Sequence, residues 1–229
     1  MDQMMDFKGL RAIGLGNVKR NWGLAIGAGA IAFLLAGIGT TFFPNIEWSR
    51  ELTHLFGYEL QEGTRVSFNF SPTGIVSMAQ FIIGGTIQLG YCKFLLKQHD
   101  NTNPEFNDVF SEFDRFGDGF LQHFLRALYT ALWTLLLIIP GIIKSLSYAM
   151  TPYIMAENPG MKANEAITRS QELMDGHKMD LFWLHLTFIG WDLLAVLTMS
   201  IGHLWLNPYK NAAEAAFYRQ ISRKELPGT

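Results

Sequence analysis

Asn207, Lys210, Asn211, Glu214 and Tyr218 recur at i, i+3, i+4, i+7 and i+11 in a stretch otherwise made largely of alanine and aromatic residues. That spacing lines one side of an α-helix with polar groups. Lys144, Ser147, Tyr148 and Thr151 predict a second polar face, and Arg126, His185 and Asp192 stand within other apolar runs. Ionisable groups in such surroundings are costly unless they pair or meet water. Three chemistries fit: internal ion pairs and hydrogen bonds that fix a bundle, a hydrated cavity for a polar ligand or lipid headgroup, and proton-coupled chemistry. Spacing alone leaves them open.

Catalytic patterns are missing. The six histidines, His54, His99, His123, His177, His185 and His203, form no i,i+4 pair and no HExxH, so no zinc-hydrolase or other metal site is predicted. There is no GxSxG elbow and no phosphate-binding P-loop, and Gly14-Leu15-Gly16 opens no strand-to-helix unit. His185 and Asp192, seven apart on one expected helix, also fit a buried structural face. Asp114 to Gly119 resembles the start of a calcium loop, but Phe116 and Leu125 occupy ligand positions there. No cofactor and no catalytic residue is expected. A net charge of −2 gives no bias toward nucleic acid. Cys92 cannot form a disulfide within the chain and reads as a small buried residue.

The elements that must position the polar groups are long apolar runs. Trp22 to Phe43 has no charged residue, and about 20 apolar residues span the roughly 30 Å core of a bilayer. The run follows Lys8, Arg11, Lys19 and Arg20 as a signal peptide would, but it exceeds the usual h-region and reads as an uncleaved first span. The expected architecture is all-α, a multi-pass transmembrane bundle with spans at 22–43, 73–96, 121–139, 141–156, 180–199 and 202–218. Pro140-Gly141 predicts a tight hairpin, with a kinked helix as the alternative. A turn near Ser200-Ile201-Gly202 makes two spans of the last apolar region, where a single span is the alternative. Small residues at Gly23, Gly27, Ala28, Ala32 and Ala36 allow close helix approach, within the chain rather than between copies.

Six spans place the basic segments 1–21, 97–120, 157–178 and 219–229 on the cytoplasmic side, with both termini inside and 44–72 as an extracytoplasmic loop. Depth along the helices then predicts an Asp192–Lys210 ion pair, with Lys144 able to reach the same carboxylate and Glu214 nearer the level of Arg126. Between spans two and three, Phe106, Phe110, Phe113, Phe120 and Phe124 recur near helical spacing, as in a helix lying in the interface or packed on the bundle. Asn164 is expected to cap a helix running to Asp175, which Gly176 ends.

The run Glu165 to Lys178 (EAITRSQELMDGHK) is where a family resemblance begins. With Pro140 to Tyr148 (PGIIKSLSY), Met150, Pro152-Tyr153 and Leu204 to Tyr209 (LWLNPY) followed by Ala212, Ala215, Ala216, Phe217 and Tyr218, it resembles an uncharacterised bacterial multi-pass family, domain of unknown function 975. The layout is more distantly similar to the membrane domain attached to some glycerophosphodiester phosphodiesterases, whose catalytic barrel has no counterpart here. The resemblance implies a fold and a location in the bacterial inner membrane, with no activity to place on particular residues. The expected role is to bind or help move a small amphiphile, lipid or peptide amid membrane lipids. The alternative is a scaffold or accessory subunit with a membrane-protein partner.

Overall fold

The structure is a computed structural model that describes residues 6–36, 72–197 and 202–224. Residues 37–71 and 198–201 lie outside that description, and with them the end of the first expected span, the loop but for Pro72, and most of the turn near Ser200. All regular structure among the described residues is helical.

Helix α1 (Phe7–Arg20) starts where the Asp6 carboxylate accepts from Gly9 N at 3.0 Å, and it ends on Lys19 and Arg20, cations suited to a helix carboxyl end. Helix α2 (Trp22–Ala36) follows after one residue, and α3 (Pro72–Asp100) is the longest element. Two 3₁₀ turns, Phe106–Phe110 and Phe113–Arg115, lead into α4 (Phe116–Leu136). These turns replace the continuous Phe-lined helix expected at 106–124. Their phenylalanines, Phe106, Phe110 and Phe113, are all exposed in part, and the Phe106 ring meets the notch left by Gly27 on α2.

The predicted hairpin is present, but it reverses at Leu137, whose backbone is extended, three residues before Pro140. Pro140 falls in the first turn of α5 (Ile138–Ser147), where a helix needs no N–H. Gly141 lets the two arms meet: a β-carbon there would lie 2.3 Å from Thr134 Oγ1.

The fourth and fifth expected spans are each broken. Helix α5 gives way at 148–150 to α6 (Thr151–Glu157), and α8 (Lys178–Leu186) gives way at Thr187-Phe188 to α9 (Ile189–Leu197). Near both breaks a hydroxyl bonds back to the preceding turn, Ser147 Oγ to Ile143 O at 3.0 Å and Thr187 Oγ1 to Leu184 O at 2.7 Å, a competition with the helix ladder. Between them, α7 (Ala163–Leu173) is preceded by Lys162, not capped by Asn164, and Gly176 takes the positive φ of +77° expected of a terminator. Ile167, Leu173 and Met174 are buried in the bundle. No helix among the described residues is long and apolar enough to cross a membrane: α3 ends in a charged segment and α10 (His203–Lys224) carries the polar stripe.

Helix α10 is the hub. It packs against α1, α2, α3, α8 and α9, and it accommodates Pro208 because Gly29 on α2 leaves room for the ring. The amino-terminal basic segment does not end at a flank: α1 runs beside α10, with Arg11 Nε donating to Tyr209 Oη at 3.2 Å and Gly14 against Ala213. A β-carbon at Gly14 would lie 2.9 Å from Ala213 N and 3.0 Å from its Cα. Gly14→Leu is therefore expected to lift α1 off α10 at a cost of about 2 kcal/mol. Limited proteolysis between α1 and α2 checks it, with faster cleavage than in the parent as the expected result.

Candidate functional site

The polar stripe of α10 meets two other helices and closes on them. Lys210 Nζ lies 3.1 Å from both oxygens of Asp192 on α9, and His203 Nε2 stands 3.7 Å from Oδ1 of the same carboxylate. One turn further along α10, Glu214 Oε1 is 3.1 Å from Nε2 of His185 on α8. His185 and Asp192 thus sit on separate helices and serve separate partners, because the break at Thr187-Phe188 turns the chain between them.

Behind these pairs the stripe continues into the core. Asn207 is buried, and Asn211 Nδ2 donates to Tyr91 Oη at 3.5 Å. Tyr153 Oη donates to Asn211 O at 3.5 Å, and its ring stacks on Tyr218 with centroids 5.6 Å apart. Arg126 on α4 donates to Gln88 Oε1 at 3.1 Å. The direct partner of Glu214 is thus His185, and that of Arg126 is Gln88.

Lys144 does not join Asp192. Its ammonium lies 5.1 Å over the Trp133 ring and 3.5 Å from Gln171 Oε1, because the α4–α5 hairpin puts it against an aromatic face that attracts a cation. Ser147 and Tyr148 are buried and serve packing: Ser147 O accepts from Ser170 Oγ at 2.8 Å, and Tyr148 lies against Tyr129 with centroids 6.2 Å apart. Of the ten residues read from the sequence, the structure joins Asp192 with Lys210 and His185 with Glu214. It buries Asn207, bonds Asn211 to Tyr91 and Arg126 to Gln88, and leaves Lys144, Ser147 and Tyr148 in a separate contact region.

Two polar networks carry no simple sequence signature. Lys93 reaches Glu112 at 2.8 Å and Lys97 reaches Asp108 at 2.5 Å, with carboxylate side chains only 4% and 8% exposed. These pairs tie the 3₁₀ turns to α3. At the end of α10, Arg219 grips Glu157 and Asp100 together, while Tyr218 Oη donates to Glu157 Oε2 at 2.5 Å. Partial burial works against the Arg219 charge, but Glu157 and Asp100 outweigh it and hold the guanidinium above its ordinary range. All four acidic groups lie far in sequence from their cations or on irregular turns, where helical periodicity is silent.

No match is found among curated proteins or solved structures, so nothing supports the more distant likeness to phosphodiesterase membrane domains. Residues 134–225 match a family described as protein of unknown function (DUF975). That stretch carries Lys144, His185, Asp192, Lys210 and Glu214 but not Arg126, and the match supports an uncharacterised family for the carboxyl-terminal part of the chain.

Proposed function

We propose that this chain is a non-catalytic integral protein of the cytoplasmic membrane, embedded by one end of its bundle, that binds or helps move a small amphiphile. The observation that carries the reading is the extent of exposed apolar surface. Leu135 is 86% exposed, Ile139 72% and Leu193 66%, and Leu34, Met78, Ile82, Leu132, Trp191 and Trp205 are exposed with them. Exposed apolar surface of that extent marks a membrane or a partner. Lys93, Lys97, Lys178 and Arg219 form ion pairs, and basic residues favour the cytoplasmic side. Both termini are placed there in this reading. The apolar run from Trp22 to Phe43 supplies length beyond α2, and the short helices α5 to α6 and α8 to α9 supply further apolar surface.

The test is extraction of the full chain from membranes at alkaline pH. The protein is expected to stay in the pellet and to need detergent, and Leu135→Glu with Leu193→Glu is expected to shift at least half of it to the soluble fraction or to degradation. A wild-type chain that is soluble and monodisperse without detergent overturns the reading. The closed pairing of Asp192 with Lys210 and of Glu214 with His185 favours a second reading, a scaffold or accessory subunit with a dry interior, for which a stoichiometric co-purifying membrane protein is the expected result.

A further inference from the structure

Helix α1 carries four cations, Lys8, Arg11, Lys19 and Arg20, and no acidic residue. Three contacts fix which way it faces. Arg11 donates to Tyr209 Oη at 3.2 Å, and its guanidinium lies 5.2 Å from the centre of the Phe188 ring. Gly14 abuts Ala213, and Asn17 O accepts from Gln98 Nε2 at 3.1 Å. Leu10, Gly14, Asn17 and Val18 are buried on that side. Lys8 and Lys19, three helical turns apart, share the opposite side with exposed Ala12, and exposed Arg20 stands next to Lys19.

The charges on this outer side are unanswered. Lys8, Lys19 and Arg20 meet no acidic group among the described residues, and both partners of Arg11 are neutral. The nearby carboxylates are committed elsewhere: Asp6 caps α1 through Gly9 N, and Glu214, next to Ala213 in the chain, stands 3.1 Å from His185. Apolar groups adjoin the cations. Ile13 is 47% exposed and Trp22 37%, and Trp22 opens the charge-free run to Phe43.

We propose that the outer face of α1 binds anionic lipid, with Lys8, Lys19 and Arg20 on the headgroups and Ile13 and Trp22 at the acyl boundary. A group of basic residues immediately before an apolar membrane segment is drawn to a negatively charged leaflet, and a neutral one exerts no such pull. Arg11 is a positioning residue, since its bonds to Tyr209 and Phe188 turn the other three cations outward. The proposal rests on the membrane reading above and names the class of lipid that this surface selects.

The experiment uses the full chain purified in detergent and given equal amounts of phosphatidylglycerol and phosphatidylcholine, with retained lipid identified by native mass spectrometry. Preferential retention of phosphatidylglycerol is expected, falling at least threefold in the variant Lys8→Gln, Lys19→Gln, Arg20→Gln at unchanged melting temperature. Raising the concentration of ammonium acetate is expected to weaken the preference as well, because salt screens exposed charges. Equal retention of the two lipids, a preference that the variant keeps, or an acidic protein found on this face in place of lipid overturns the proposal. Should the triple variant lose fold, Lys19→Gln alone replaces it, since that side chain is exposed and carries none of the packing. Alkaline extraction decides the membrane reading separately: a chain that stays in the pellet without discriminating between the headgroups loses this proposal alone.

Discussion

Replacing Gly90 by alanine is expected to cost the fold about 3 kcal/mol, the upper part of the usual range for inserting a methyl group into a filled space. A β-carbon there would lie 2.1 Å from Val109 O and 2.7 Å from Asp108 O. The obstacle is backbone, which cannot swing aside as a side chain would. To make room, the turn Phe106–Phe110 must leave α3, and with it go the Lys97–Asp108 pair and the contact of Phe106 with Gly27. Gly85 faces the same obstacle, 2.1 Å from Gly119 O on α4, and Gly85→Ala is expected to separate α3 from α4 to a similar extent. Gly16, in the exposed face of α1, has nothing within 4 Å of a β-carbon. Gly16→Ala should gain about 0.5 to 1 kcal/mol from helix propensity and the lower entropy of the unfolded chain. Thermal unfolding of the three variants in one detergent checks the set. A Gly90→Ala protein as stable as Gly16→Ala would mean that the 3₁₀ turns do not sit on α3 as described.

That contrast bears on what the sequence makes legible. The polar stripe of α10 follows from periodicity, and the meeting of Asp192 with Lys210 follows from counting helical rise on either side of one turn. Counting succeeds there because only helical register and one reversal enter it. It fails for Lys144, whose surroundings depend on how α4 folds back, and no pattern near Lys144 announces Trp133 or Gln171. The breaks at 148–150 and at Thr187-Phe188 themselves hold neither proline nor glycine, and Pro152 and Gly190 stand just beyond them, in the first turns of α6 and α9. Helix α1 was legible as a basic flank and not as a packed element, because Gly14 gains meaning only beside Ala213. Glycines mark close approaches here more than turns, and a close approach is a property of two segments that a single-segment reading does not contain. The Arg219 network is of the same kind, assembled from the ends of α3, α6 and α10.

The Asp192–Lys210 pair separates a clamp from a ligand site most directly. Lys210→Met is expected to destabilise the protein by about 2 kcal/mol. Breaking a fully buried pair costs roughly 3 to 5 kcal/mol, and side chains that are 24% and 31% exposed retain part of their solvation. The loss arises because Asp192 would be left, among the described residues, with His203 alone, 3.7 Å away. Asp192→Leu alone strands the ammonium of Lys210 in turn. Combining the two removes both charges and is expected to recover most of the loss, with a coupling of about 1 to 3 kcal/mol in a double-mutant cycle. Unfolding in detergent, followed by helix content, measures all four corners of the cycle. Additive losses would show that the two groups stand close without depending on each other. Single variants that melt with the parent but lose a bound small molecule would make the pair part of a binding site. With strong coupling and unchanged ligand retention, the two charges act as the fastening between α9 and α10.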